Sequence, residues 1–210
     1  MKKIIITLLA MTLTTAAYSQ MHSGGFKIDD RSAYYGMRLG FNSAHIGGDL
    51  DTDSRTSLNV GAVAGIKCSE DTPLFLELGI YYAGKGAKIK DRENSTVTKV
   101  GMDYIEIPLL MKYGFEVTPE FAVIPYIGPS LAVGLGGQMK TSTPTNAYKV
   151  DTFDKDTFKR LDVGIKFGCG FEWNMIYAEL GYQWGVINIS QDDFNDAFNR
   201  NFYMNIGVNF

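Results

Sequence analysis

Few residues of this chain have the types and the spacing that catalysis or metal binding requires. The chain contains two histidines, His22 and His45, and neither stands in a serine-centred or metal-ligand pattern. A catalytic cluster would need His45 beside Asp49 or Asp51, and no sequence feature indicates a perturbed carboxylate there. The glycine-rich run 134–137 lacks the G-x-G-x-x-G spacing of a nucleotide site, so we interpret it as a strand end running into a loop. The sequence therefore predicts no catalytic residue, no metal site and no cofactor.

Three groups of aspartates have a spacing that could bind a cation. Asp49, Asp51 and Asp53 resemble the opening of a calcium loop, but Ser54 and Val60 stand where that motif needs glycine and glutamate. We therefore interpret these residues as a solvated acidic loop. The same interpretation applies to two further groups, Asp151, Asp154 and Asp156, and Asp192, Asp193 and Asp196.

A set of charged residues stands within segments of alternating polarity, on the face that also carries glycines and tyrosines. Such residues could form a polar conduit or ligand site, or they could pair with one another and fill an enclosed interior. Buried charges cost several kcal/mol each unless they are paired, which favours the filled interior. The charges expected on this face are Arg38, Lys67, Glu77, Glu106, Lys112, Asp162, Lys166, Glu172 and Glu179.

The segments that carry these charges alternate apolar and polar residues with a period of two, which is typical of β-strands. A membrane-spanning strand needs about 9–11 residues, and each segment is long enough. The links between them alternate between long and short, as in bacterial outer-membrane barrels. The sequence thus predicts eight strands, near 35–46, 57–68, 74–88, 98–115, 121–136, 158–172, 175–190 and 200–210.

The two faces of these strands indicate a membrane-embedded barrel. One face mixes glycines with isolated charges and tyrosines, as a narrow interior requires. The other face is apolar and carries aromatics that suit a lipid-facing girdle, namely Tyr113, Tyr182, Trp184, Phe202 and Phe210. We therefore predict an all-β fold, an eight-stranded antiparallel transmembrane β-barrel with up-and-down meander connections.

Four aromatics lie in or beside the long loops, namely Phe153, Phe158, Phe194 and Phe198. Two interpretations stay open for them: they contact a partner, or they anchor the barrel at the membrane edge.

Local features sharpen this prediction. A two-residue loop at Trp173 and Asn174 would place Gly170 opposite Tyr177 and bring Lys166 diagonal to Glu179. Three prolines inside strands, Pro108, Pro125 and Pro129, suggest β-bulges, because proline lacks a ladder donor. The two cysteines, Cys68 and Cys169, fall in strands that are not neighbours, so we expect free thiols.

The N-terminus has the layout of a secretory signal peptide. Lys2 and Lys3 precede an apolar stretch that is too short for a stable spanning helix, and small residues follow it. We expect a signal peptide over 1–19 with cleavage between Ser19 and Gln20, a periplasmic tail over 20–33 and a barrel domain over 34–210; the alternative is an N-terminal anchor helix. The net charge of −3 becomes −5 without Lys2 and Lys3, so no basic face for nucleic acid is expected.

Several motifs resemble the PorT-like family of bacterial outer-membrane β-barrels. They are Tyr104-Ile105-Glu106-Ile107-Pro108-Leu109-Leu110, Pro125-Tyr126-Ile127-Gly128-Pro129-Ser130-Leu131, Glu179-Leu180-Gly181-Tyr182-Gln183-Trp184-Gly185 and the ending 202–210. The resemblance covers roughly residues 33 to 210. It implies a barrel of the small OmpA or OmpX size in the outer membrane, in contact with its lipid. The family's namesake works in protein secretion, so the resemblance also implies envelope or secretion proteins as partners.

From these observations we expect a non-enzymatic integral outer-membrane barrel with a side-chain-filled interior. Its loops or its tail would act in an envelope assembly or at the cell surface. Three alternatives remain: a barrel enzyme acting on lipid or peptide, a small-solute pore, and a soluble lipocalin-like barrel.

Overall fold

The computed structural model describes residues 31–48, 52–91, 96–142, 147–153, 158–190 and 196–210. The expected signal peptide and most of the expected tail lie outside the described residues. No helix in these ranges is long and apolar enough to cross a membrane. The described strands are β1 (Ala33–Gly48), β2 (Asp53–Lys67), β3 (Leu74–Asp91), β4 (Thr96–Tyr113), β5 (Phe115–Thr118), β6 (Phe121–Gly136), β7 (Gln138–Ser142), β8 (Ala147–Asp151), β9 (Leu161–Trp173), β10 (Ile176–Gly185) and β11 (Ala197–Asn209).

Eight of these strands form a closed antiparallel barrel. Their order is β1, β2, β3, β4, β6, β9, β10 and β11. The last strand pairs with the first, from Gly36 opposite Asn209 to Gly48 opposite Ala197, so the long strands leave no open edge. The predicted fold class is thereby confirmed. Short turns face the periplasm in bacterial barrels and long loops face outward, so we call the end with the long links the outer end.

Three short strands extend this barrel. At the periplasmic end, Gly114 interrupts β4, and the chain continues as β5 along β6. At the outer end, β7 and β8 form a hairpin, and β7 pairs with β4 from Val97 to Val100. The hairpin lies in a segment that the sequence indicated only as a long polar link. It therefore raises one side of the sheet beyond the rim of the barrel.

Alternating burial follows the alternating sequence. On β11, Ile206 is 60% exposed, whereas the neighbouring Asn205 is 1% exposed. On β4, Ile107 is exposed and Glu106 is fully buried. The apolar side chains thus point away from the barrel axis and the polar ones toward it, which is the reverse of a water-soluble protein. Burial of that outer apolar band requires a lipid environment.

The hairpin between β9 and β10 differs in register from the expected one. Its loop residues are Asn174 and Met175, because Trp173 still pairs with Ile176. Asn174 has φ of 54°, a left-handed conformation that asparagine tolerates far better than tryptophan does. The register therefore moves by two residues, which keeps every side chain on its predicted face but changes its partner. Glu179, not Tyr177, is opposite Gly170.

The prolines do not form bulges, contrary to expectation. The pairing of β6 with β9 keeps one register through both Pro125 and Pro129. The ladder between β4 and β6 is instead interrupted between Pro108 and Met111, with the same register on both sides of the gap. Pro129 lies opposite this gap, and Pro125 lies where Gly114 separates β4 from β5. The two prolines of β6, which lack an N–H donor, thus lie where β6 has no ladder hydrogen bonds to β4 or β5.

Strand length varies around the barrel. β10 has 10 residues, which at a tilt of about 40° spans roughly the 25 Å apolar band of an outer-membrane barrel. β3 and β4 have 18 residues each. These two strands therefore rise about 20 Å beyond the same band.

Both cysteines are free thiols. Cys68 is exposed just after β2, and Cys169 lies on β9.

Candidate functional site

The interior of the barrel contains charged side chains in equal numbers of each sign. Among the described residues, ten charged side chains are buried, five cations and five anions. The cations are Arg31, Arg38, Lys85, Lys112 and Lys166, and the anions are Glu77, Glu106, Asp162, Glu172 and Glu179. A buried charge is tolerated when a partner compensates its lost hydration. The balance makes the interior electrically neutral as a whole.

The outer ionic cluster consists of Lys85, Glu106, Asp162 and Lys166. The Nζ atom of Lys85 lies 2.7 Å from Glu106 Oε2 and 3.1 Å from Asp162 Oδ2. Lys166 binds the other oxygen of Glu106. Asn199 donates its side-chain amide to Asp162 Oδ2 at 2.9 Å. Four strands thus contribute to one compact group with two charges of each sign.

The inner ionic cluster, Arg38, Glu77, Lys112 and Glu179, lies nearer the periplasmic end. Lys112 Nζ is 2.9 Å from Glu77 Oε1 and 3.8 Å from Glu179 Oε2. Arg38 Nη2 is 3.8 Å from Glu77 Oε2. The guanidinium of Arg38 also stacks on the ring of Tyr177, with Cζ 3.9 Å from the ring centroid. This cluster is also neutral. Its Lys112–Glu77 pair joins the neighbouring strands β3 and β4, whereas its two longer ion pairs, Arg38–Glu77 and Lys112–Glu179, join strands that do not pair.

A third ion pair lies at the periplasmic mouth. Arg31 Nη2 is 2.6 Å from Glu172 Oε1. Asn209 donates to the other oxygen of Glu172 and accepts from Arg38 Nη2 at 2.6 Å. Through Glu172 and Asn209, Arg31 is therefore connected to the last strand and to the inner ionic cluster.

Tyrosines separate the two ionic clusters. Tyr126 donates to the hydroxyl of Tyr203 at 3.0 Å. The ammonium of Lys166 lies 4.5 Å from the ring centroid of Tyr203 and 5.3 Å from that of Tyr81. Such rings attract a cation through their negative faces. Glycines make room for them: a Cβ on Gly181 would lie 2.4 Å from the Tyr203 hydroxyl oxygen.

An apolar cap covers the outer ionic cluster. Phe153 and Phe158, which the sequence suggested as partner contacts or membrane anchors, are only 6% and 7% exposed. Phe153 packs edge-on against Tyr104, with ring centroids 5.7 Å apart. Both interpretations are therefore wrong for these two residues, because they turn into the mouth of the barrel. The buried cap consists of Ile46, Ala87, Val100, Met102, Tyr104, Ala132, Phe153, Phe158, Ile189 and Ala197.

Most of the charges expected inside take part in these clusters. Lys67 differs, since it is half-buried at the periplasmic end of β2. Two interior cations were not anticipated, Lys85 and Arg31. Lys85 lies an even number of residues after Glu77 on β3 and therefore on the same inward face, so the alternating pattern could have identified it as an interior cation. Arg31 precedes the first strand, and no pattern in the sequence marks it.

The aromatics of the expected girdle lie on the outward face. Trp184 and Phe202 are about half exposed. The other three, Tyr113, Tyr182 and Phe210, are half-buried. Of the remaining loop aromatics, Phe198 is half-buried on the same face, and Phe194 lies outside the described residues. Arg200 stacks on Trp184, with Cζ 4.1 Å from the ring centroid. An aromatic ring beside a cation is well suited to the interface between lipid and water.

The described residues show no group of three or more His, Cys, Asp or Glu side chains that could hold a metal ion. His45 lies on the outward face of β1, opposite Arg200 on β11. His22, Asp49, Asp51, Asp154, Asp156, Asp192 and Asp193 lie outside the described residues. Asp53 begins β2, Asp151 ends β8, and Asp196 accepts a hydrogen bond from Asn188 at 2.8 Å.

Comparison with known proteins identifies the type of barrel. A family model described as "Outer membrane protein beta-barrel domain" matches residues 18–191. The fold is similar to that of a major outer membrane protein from Thermus thermophilus, at 12% identity and a TM-score of 0.50, over 86% of this chain and 100% of that one. Ail, the attachment invasion locus protein of Yersinia pestis, matches at 11% identity, a TM-score of 0.42 and coverage of 86% and 100%. Neisserial surface protein A matches at 14% identity and a TM-score of 0.45, over 85% of this chain and 96% of that one. The curated proteins yield no match.

Proposed function

Because the chain belongs to the outer membrane protein beta-barrel domain family, we propose that it is a non-enzymatic component of an outer-membrane assembly. In this proposal the barrel is a closed scaffold, and its outer end or its N-terminal tail binds other envelope proteins. A signal peptide ending near Ser19 would direct it to export, and the PorT-like motifs fit such an assembly role.

The neutral, paired interior is the observation that carries the proposal. Two ionic clusters, a layer of tyrosines and the apolar cap follow one another along the barrel axis. Their largest side chains, including Arg38, Lys85, Tyr104, Tyr177 and Tyr203, are less than 2% exposed. An eight-stranded barrel is just wide enough for its side chains to fill it, whereas open porins have about 16 strands or more. A filled interior favours surfaces over a channel as the functional parts.

The raised hairpin supports protein partners in particular. In the described sheet β8 is a terminal strand that pairs only with β7. It exposes two apolar side chains, with Tyr148 58% and Val150 46% exposed. Terminal strands with exposed apolar residues can take up an added strand from a partner, which would hydrogen-bond along the edge.

Co-purification tests this proposal. The protein would be tagged at its native locus, extracted in mild detergent and analysed for stoichiometric partners, beside a double variant, Tyr148→Ser with Val150→Pro, that disables the edge of β8. A partner that is retained by the natural protein and lost by the variant would support the assembly role. A solitary barrel in both samples would contradict it and favour a surface protein that acts alone.

Conductance tests the closed interior separately. We expect the purified protein to add no stable conductance steps to a planar bilayer. Discrete openings would contradict the filled interior and would favour the small-solute pore.

A further inference from the structure

Four lysines lie directly opposite one another on four neighbouring strands at the outer end. Lys88 on β3 is opposite Lys99 on β4, Lys99 is opposite Lys140 on β7, and Lys140 is opposite Lys149 on β8. Paired strands are about 4.8 Å apart, so this lysine row extends over about 14 Å at one level. Like charges that are directly opposite destabilise a sheet. The fold therefore maintains three consecutive repulsive pairs.

The lysine row lies on the outer surface of the wall. Ala87 and Val100, the neighbours of Lys88 and Lys99, are fully buried in the cap, so the lysines have the opposite, outward parity. Lys99, Lys140 and Lys149 are exposed, and Lys88 is half-buried. Below Asp103 on the same face of β4, the outward residues from Ile105 to Met111 are apolar and face lipid. The row is thus a continuation of the lipid-facing surface.

The four ammonium groups contrast with the charges inside the barrel. Every interior cluster pairs its cations with carboxylates. Asp53 on β2 is opposite Lys88 at one end of the row, but in the part of the chain that the structure describes no carboxylate forms an ion pair with any lysine of the row. An anion from outside the chain would relieve the repulsion between all four.

A depression with a volume of about 510 Å³ adjoins the row between β4 and β7. Its cationic side chains are Arg55, Lys99 and Lys140, and its two carboxylates belong to Asp103 and Asp151. Gln138 and three glycines, Gly101, Gly136 and Gly137, complete the lining. A Cβ on Gly136 would have no atom within 4 Å, which shows how open the depression is. Three cations against two anions favour an anionic ligand of headgroup size.

We propose that the lysine row and this depression bind the phosphate or carboxylate groups of an outer-leaflet lipid headgroup. The height of the row on the outer surface of the barrel favours a lipid over a free anion as the ligand. Leu135, 56% exposed, marks the top of the apolar band near Asp103. Lys99 lies four residues beyond Asp103 on the strand, which is about 10 Å higher at a tilt of about 40°. Lysine side chains are long enough to bring their charge to the headgroups from that height.

Lipid-dependent stability tests the proposal on the full chain. The protein would be folded in a zwitterionic detergent, and its thermal unfolding would be followed with added diphosphoryl lipid A, with phosphatidylcholine and with inorganic phosphate at matched ionic strength. A quadruple variant replaces each lysine of the row, Lys88→Gln, Lys99→Gln, Lys140→Gln and Lys149→Gln. A second variant carries arginine at the same four positions, and Lys159→Gln removes an exposed charge elsewhere at the outer end.

We expect lipid A to raise the unfolding temperature of the natural protein, the arginine variant and Lys159→Gln. The quadruple glutamine variant should bind lipid A about tenfold more weakly. Without anionic lipid, it should unfold at the same temperature as the natural protein or higher, since the repulsion is gone, which excludes misfolding as the cause. Equal stabilisation of the natural protein and the glutamine variant by lipid A would overturn the proposal. Equal stabilisation by inorganic phosphate and by lipid A would overturn the assignment to a lipid.

Discussion

The Nζ atom of Lys85 lies 2.7 Å from Oε2 of Glu106 in the outer ionic cluster, and neither side chain is accessible to solvent. Glu106 also binds Lys166 through its other oxygen. One carboxylate therefore compensates two buried ammonium groups from two other strands. This arrangement makes Glu106 the residue on which the charge balance of the cluster depends.

Replacing Glu106 by glutamine should destabilise the barrel by about 3–5 kcal/mol, because removing one partner leaves buried charge uncompensated. Urea unfolding of the protein in detergent, followed by the heat-dependent shift of the folded barrel in electrophoresis, would measure the loss. Glu120→Gln is the matched control, since Glu120 is exposed in a periplasmic turn. Equal midpoints for the two variants would show that the ionic cluster contributes little to stability.

The close approach of Tyr177 to Gly170 gives a second prediction. A Cβ on Gly170 would lie 2.3 Å from the hydroxyl oxygen of Tyr177. Gly170→Ala should therefore be destabilising, and the cost should fall by about 1 kcal/mol or more when Tyr177→Leu is present. A double-mutant cycle in unfolding free energy would measure the coupling. Gly136→Ala, which meets no atom within 4 Å, should leave stability nearly unchanged; strict additivity at Gly170 would contradict the proposed clash.

The turn between β9 and β10 depends on the conformation of Asn174. Its φ of 54° is costly for β-branched residues and free for glycine. Asn174→Val should lower the free energy of unfolding by about 1–2 kcal/mol, and Asn174→Gly should change it by less than about 0.5 kcal/mol. Unfolding in urea would compare the two variants. A valine variant as stable as the glycine variant would mean that the turn is not held in this conformation.

The apolar cap can be tested apart from the ionic clusters. Phe153→Ala combined with Phe158→Ala should destabilise the barrel, by about 3–5 kcal/mol for each well-packed ring. The double variant should nevertheless add no conductance to a planar bilayer, because both ionic clusters still fill the barrel beneath the cap. If removing the two rings opened a channel, the cap alone would be the barrier.

Alternating polarity predicted the barrel because the period of two places each residue on one face regardless of the precise pairing. The bounds of β6, Phe121–Gly136, are those expected, and the eight long strands all occur. The register of the β9–β10 hairpin was two residues off, since the loop position depends on which residue tolerates a left-handed φ, and periodicity carries no such information.

The interior pairing was less predictable from the sequence. Lys166 was expected near Glu179, but it binds Glu106 on a strand 60 residues away in the chain. Pairing across the interior depends on the relative heights of strands that are not neighbours, which local patterns do not specify. For the same reason neither the burial of Phe153 nor the alignment of the lysine row could be foreseen. The β7–β8 hairpin was missed because its strands are only five residues long, which is too short for the period of two to stand out.

The unequal strand lengths give the molecule a tall side and a low side. Along β3 and β4 the wall continues about 20 Å past the apolar band, and β7 and β8 extend it sideways, whereas β10 ends near the rim. A neighbour diffusing in the plane of the membrane would therefore meet a protein surface above the lipid on one side and only the barrel on the other. The barrel is thus directional in the membrane plane, because only one side of it carries protein above the lipid.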